Sequence, residues 1–98
     1  MQGAQGTSAY TASKAGIIGL SKVISKEYAQ FNVTSNVLNL GAFDTGLYKK
    51  LNQSLKKKIL SAIPSKKLGC LNNISNSIKF LIESEFVNGA VIDVNGGA

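Results

Sequence analysis

Arginine and histidine are absent from this chain of 98 residues, and proline, cysteine and methionine occur once each. With no histidine and a single cysteine, Cys70, an internal disulfide is impossible and a zinc site is nearly excluded. Cys70 reads as a small residue in or near a loop. Every positive charge is a lysine, whereas nucleic-acid readers lean on arginine, whose planar fork pairs bidentately with guanine and phosphate. The net charge of +6 therefore reads as solvated surface first and as a nucleic-acid footprint a distant second. Long apolar runs are missing too: "AGIIGL" is far too short to span a bilayer. No basic region followed by an apolar core opens the chain, so no signal peptide is visible. The expectation is a cytoplasmic protein with neither a membrane nor a nucleic acid as partner. What remains is globular in composition, 44% hydrophobic and 16% charged, and one domain at most.

Apolar residues recur at three- and four-residue steps from Ser8 or Ala9 to about Gln30, predicting a helix with Ile17, Leu20, Ile24, Tyr28 and Phe31 on one apolar stripe and Asn32 at its end. Gly16 and Gly19 inside it suggest a closely approaching neighbour, since each costs about 1 kcal/mol against alanine. "VTSNVLNL" alternates as a strand and stops at Gly41. The lysine-studded segment from Ala42 to Gly69 predicts a loop with one or two short helices, Leu51, Leu55, Ile59 and Ile63 lying on one side. "NNISNSIKFLIESE" predicts a helix capped by Asn72 or Asn73, burying Ile74, Ile78, Leu81 and Ile82. "GAVIDVNGGA" predicts a final strand and glycine turn. Strands joined through helices are the unit of a parallel α/β sheet. Two strands are too few to stand alone, and their apolar runs predict burial on both faces. The expected core is Ile17, Leu20, Ile24, Val37, Leu38, Ile78, Leu81 and Val94, part of it without cover.

The first helix carries "SAYTASKAGIIGLSK", with Tyr10 and Lys14 one turn apart on one face. Together with "NVLNLGAFDTGL", "IPSKKLG" and the terminal "VIDVNGG", this stretch resembles the short-chain dehydrogenase/reductase family in four ordered segments covering practically the whole chain. The Tyr-x-x-x-Lys pair alone would be a weak signal. The resemblance implies the carboxyl half of a Rossmann-type, doubly wound parallel sheet, with residues 1–98 forming a single partial domain. It implies an oxidoreductase that interconverts a hydroxyl and a ketone with NAD or NADP. Tyr10 is the implied general acid/base, and Lys14 its electrostatic partner and the ligand of the nicotinamide ribose. A free phenol has a pKa of about 10, and a nearby ammonium favours its phenolate by about 1.36 kcal/mol for each unit of lowering.

Further along, the resemblance places Gly41 where a missing side chain lets the nicotinamide lie close, Phe43 where the backbone faces the carboxamide, and Thr45 where a hydroxyl contacts the same region. For Thr45, a turn or helix cap before Gly46 is an equal reading. Leu40 stands where the family has proline, and Asn36 matches a structural asparagine. The segment Leu47 to Leu60 corresponds to a substrate lid. It reads as a solvated helix face ahead of an anion-binding surface, although a basic lid would suit an acidic carrier protein. The implied substrate is a small-molecule or acyl-carrier-linked ketone or alcohol of the 3-oxoacyl or sugar type. The implied assembly is a homo-oligomer through the helix Ala9–Gln30, or pairing with a missing amino-terminal half. The glycine-rich phosphate-binding turn and the catalytic serine of the family have no counterpart here; Thr7 and Ser8 are too close to Tyr10 to replace the serine. The expectation is a fragment, inactive as the isolated chain. The alternative is a non-catalytic remnant that only self-associates.

Overall fold

The computed structural model describes residues Ser8–Ala98; Thr7 lies outside them. The elements are α1 (Ser8–Glu27), a 3-10 turn (Ala29–Phe31), β1 (Val37–Leu40), α2 (Gly46–Lys49), α3 (Gln53–Ala62), α4 (Leu71–Glu83) and β2 (Val91–Val94). The strands are hydrogen-bonded neighbours in a two-stranded sheet. Val37 N–H donates to the Ala90 carbonyl at 2.9 Å and Gly41 N–H to the Val94 carbonyl at 3.0 Å. Donor and acceptor advance together along the two strands, so the pair is parallel. The expected order of elements is thus present as an α/β chain. Two compact units divide it, one of residues 1–37 and 85–91, the other of residues 38–84 and 92–98.

In the first unit α1 stops short of Gln30. The helix ends at Glu27, and the chain tightens into the 3-10 turn up to Asn32, whose φ of 61° is the left-handed conformation that asparagine tolerates. The expected burial of α1 is corrected. Ile17 and Leu20 are exposed, Leu20 by 60%, and Ile24 is half-buried, while the buried residues of the helix are Ser21 and Ser25. Hydrogen bonding is the reason. Ser21 Oγ and Ser35 Oγ are 2.8 Å apart, Asn88 Nδ2 donates to the Ser25 carbonyl at 2.8 Å, and Lys22 Nζ donates to the Gly89 carbonyl at 3.2 Å. Small hydroxyl side chains let the 33–36 and 87–90 segments close on the helix, which a stripe of isoleucine and leucine would hold further off. At Gly16 and Gly19 a Cβ would meet nothing within 4 Å among the described residues.

The strand expected over 33–40 is also shorter, beginning at Val37. Residues 33–36 are held by side chains instead. Ser35 N–H donates to Asn88 Oδ1 at 2.9 Å, Asn36 Nδ2 to the Val87 carbonyl at 3.1 Å, and Ala90 N–H to Asn36 Oδ1 at 3.0 Å. Asn36 is accordingly structural, as expected from sequence. Neither strand is buried on both faces: β1 is half-buried except for exposed Leu40, and β2 alternates exposed with half-buried residues.

In the second unit Asn52 caps α3, its side chain accepting from Leu55 N–H at 2.8 Å. Ile63, just past the helix, is 4% exposed, the buried hydrophobic residue of the described chain, while Leu55 on the same expected stripe is exposed. Around it the turn is fixed by Ser65 N–H donating to the Gly96 carbonyl at 3.1 Å. Gly96 has φ +67°, and a Cβ there would lie 2.8 Å from Ile63 Cγ2, so this contact admits only glycine. α4 is capped at Cys70, not at Asn72 or Asn73. Asn73 takes the position three residues in and reaches back, its Oδ1 accepting from Cys70 N–H at 2.9 Å. Ile74 and Leu81 are half-buried, whereas Ile78 and Ile82 are exposed. Among the described residues, no helix is long and apolar enough to cross a membrane.

Candidate functional site

The residues expected to do chemistry fall in both units. Tyr10 and Lys14 lie in the first turns of α1, where helical periodicity carries them to one face. Lys14 Nζ stands 5.3 Å from the centroid of the Tyr10 ring, within the range of a cation–π contact. Tyr10 is 62% exposed, so its phenol is open to a ligand arriving from outside the helix. The neighbours Ala9, Ala12, Ser13 and Ala15 add little bulk around the pair.

Gly41, Phe43 and Thr45 follow β1 in the second unit. A Cβ at Gly41 would sit 2.7 Å from Asn95 Cβ and 2.9 Å from Asn95 Cα. The absent side chain is therefore demanded by the chain's own turn after β2, a reason the sequence does not show. Phe43 forms an isolated parallel bridge with Gly69, and Asp44 N–H donates to the Gly69 carbonyl at 2.9 Å. Thr45 is the N-cap residue of α2 by position, with extended backbone and no hydrogen bond from its side chain to the helix.

A cleft of about 510 Å³ opens in the same unit, and Phe43 is the one expected site residue that lines it. Its polar wall includes Lys67, Asn73, Asn76, Ser77, Asp93 and Asn95. None of these is a candidate site residue from the sequence, which predicts Asn73 only as a helix cap. The available signal was the spacing of Asn73, Asn76 and Ser77, which at three- and four-residue steps share one face of α4. Asp93 also accepts from Asn39 Nδ2 at 2.9 Å, tying β1 to β2 through side chains within this unit. Among the described residues, no group of three acidic, cysteine or histidine side chains is placed to hold a metal ion.

Comparison with known proteins bears on this arrangement. Residues 1–98 match the family model described as enoyl-(acyl carrier protein) reductase. The 3-oxoacyl-[acyl-carrier-protein] reductase FabG of Buchnera aphidicola is 40% identical over 97 residues, which cover 97% of this chain and 40% of that protein. The 3-oxoacyl-[acyl-carrier-protein] reductase MabA of Mycobacterium tuberculosis is 37% identical over 90 residues, 90% of this chain and 36% of that protein. Nodulation protein G of Rhizobium meliloti is 37% identical over 97 residues, again 40% of that protein. The chain thus spans well under half the length of these relatives.

Proposed function

The chain belongs to the short-chain dehydrogenase/reductase family, in the branch whose model is described as enoyl-(acyl carrier protein) reductase, and from that premise we propose that it is the carboxyl portion of an NAD(P)-dependent oxidoreductase interconverting a hydroxyl and a ketone. One observation carries the reading: the exposed phenol of Tyr10 with the Lys14 ammonium 5.3 Å from its ring centroid. The residues present suit the nicotinamide–ribose end of a dinucleotide. Lys14, beside the Tyr10 ring, would donate to the ribose hydroxyls. A bound dinucleotide supplies or accepts the hydride. In the reducing direction Tyr10 Oη gives its proton to the carbonyl oxygen of the substrate, and the Lys14 ammonium offsets the negative charge left on the phenol. The names of the relatives support a 3-oxoacyl group on an acyl carrier as substrate. In this proposal the two strands are the last pair of a doubly wound Rossmann-type sheet, and residues 1–98 are one partial domain.

The phosphate-binding turn and serine of the family lie in a part of the fold to which this sequence does not correspond. We therefore propose that the 98-residue chain alone neither binds NAD(P)H at micromolar concentration nor turns over. The test joins this chain to the amino-terminal portion of a 3-oxoacyl-carrier-protein reductase relative. The fusion is expected to oxidise NAD(P)H with a 3-oxoacyl thioester, and Tyr10→Phe to lower turnover by ~10²-fold or more with cofactor affinity little changed. Lys14→Ala lowers both. Near-normal turnover in the Tyr10→Phe fusion would dismiss the phenol from the mechanism.

A second reading, a non-catalytic remnant that self-associates through α1, draws on the exposure of Ile17, Leu20 and Val23 along that helix. Coding DNA upstream of Met1 separates the two. An in-frame glycine-rich turn and a serine at the family spacing favour the enzyme, and their absence favours the remnant.

A further inference from the structure

The tripeptide Val-Asn-Gly occurs twice in the chain, at 87–89 and at 94–96. An asparagine followed by glycine is open to a reaction with its own backbone. The glycine nitrogen, unhindered by a side chain on its residue, attacks the side-chain amide carbon and closes a cyclic imide. The two copies have the same local chemistry, so any difference between them comes from what the fold does to each.

At the first copy every reacting group is engaged. Gly89 N–H, which carries the attacking nitrogen, donates to the Ser35 carbonyl at 2.9 Å. The Asn88 amide is clamped at both ends by distant segments: Oδ1 accepts from Ser35 N–H at 2.9 Å, and Nδ2 donates to the Ser25 carbonyl at 2.8 Å. Ring closure there must break bonds that hold the first unit together. At the second copy the attacking nitrogen is free. Gly96 is exposed, and its carbonyl accepts from Ser65 N–H at 3.1 Å, but its own N–H meets no acceptor among the described residues. The bonds of the Asn95 side chain are local, Oδ1 accepting from Gly97 N–H at 2.9 Å and Nδ2 donating to the Ala98 carbonyl at 2.7 Å. The bond from Gly97 folds the side chain over the intervening Gly96 peptide and so carries Cγ towards the attacking nitrogen. The same N–H points at the oxygen on which negative charge develops during attack.

We propose that Asn95 is a site of spontaneous deamidation and isomerisation in the folded chain, and that Asn88 is protected from it. The bond from Gly96 N to Asn95 Cγ forms, the bond from Cγ to Nδ2 breaks, and the proton of Gly96 N–H leaves with Nδ2 as ammonia. Water then opens the imide. Opening at Cγ leaves an aspartate at position 95; opening at the main-chain carbonyl leaves an isoaspartate, whose backbone runs through Cβ. Either product puts a carboxylate on the cleft wall that Asp93 and Lys67 share, in place of a neutral amide. The isoaspartate also adds a carbon to the backbone where Asn95 lies against Gly41 and Gly96 against Ile63, contacts that leave no spare room. The proposal does not need the oxidoreductase reading.

The test uses the full chain, aged at mildly alkaline pH in native buffer and in urea, with circular dichroism to verify that the native sample is folded at the start. Peptide mapping by mass spectrometry follows each asparagine separately, and labelling with a protein isoaspartate methyltransferase measures the isomerised product. In the folded chain Asn95 is expected to convert roughly tenfold faster than Asn88, the barrier difference that one hydrogen bond supplies. In urea the two rates should converge, since the tripeptides are identical. N95Q should remove most of the ammonia that the folded chain releases, and N88Q little of it. Equal rates at the two positions in the folded chain would overturn the proposal. So would faster conversion of Asn88, or no detectable conversion of Asn95 while the chain is folded.

Discussion

Each of the two compact units is held together by its own means. Around α1, side chains of serine and asparagine bond to backbone and to one another: Ser21 with Ser35, Asn88 with the Ser25 carbonyl and Ser35 N–H, Asn36 with Val87 and Ala90. Around α3 and β2, the decisive contacts are steric, with Ile63 buried against Gly96 and Asn95 packed on Gly41. The first unit therefore depends on partners being present, the second on volumes fitting. Loss of a buried partner leaves a polar group unsatisfied, whereas loss of volume leaves a cavity.

Ile63→Ala tests the steric unit and should have the largest effect, a loss of about 3 kcal/mol in urea denaturation. If the units open separately, its amide exchange should rise in α3 and leave α1 unchanged; a uniform rise would mean that they unfold as one. Asn36→Ala is the counterpart in the hydrogen-bonded unit. It strips the Val87 carbonyl and Ala90 N–H of their partner and should cost about 2 kcal/mol, with exchange rising at residues 87–90. Gly41→Ala forces Asn95 aside and should cost about 1–3 kcal/mol, read in the same melts. A cost near zero would show that the turn after β2 yields freely. Leu20→Gln should be the smallest, within about 0.5 kcal/mol, because the residue is exposed. A large loss for Leu20→Gln that depends on protein concentration would instead show that a second copy covers α1 in solution.

The same contrast explains what could be read from the sequence. The elements and their order were legible because Val37–Leu40, Val91–Val94 and the helical spacings in α1 and α4 follow simple periods. Tyr10 and Lys14 were legible because four residues make one helical turn. The buried face of α1 was not. Periodicity weighs hydrophobic residues, and Ser21 and Ser25 face inward for their size and hydroxyls, while Ile17 and Leu20 face out. The start of β1 was missed for a related reason: Ser35 and Asn36 fit an alternating pattern, yet bond through their side chains. The cap of α4 fell to Cys70 because the asparagine three residues later completes it from inside the helix. The cleft joins α4 to β2 and to the Phe43 bridge, contacts between segments far apart in sequence that no local window contains.

The wide separation in sequence of the paired strands, from Val37 to Ala90 and from Gly41 to Val94, also constrains how the chain reaches its structure. Helices α1, α3 and α4 close short loops and can form from neighbours in sequence, but the first β1–β2 bond must gather ends more than half the chain apart. The length-dependent part of that closure is about 3.5 kcal/mol, to be met before a single strand pair contributes. Pairing is parallel and non-local, the class of contact that slows folding most. Strand association is thus the step that sets the tempo, and any change that orders the lysine-rich segment between the strands shortens the effective loop and quickens it.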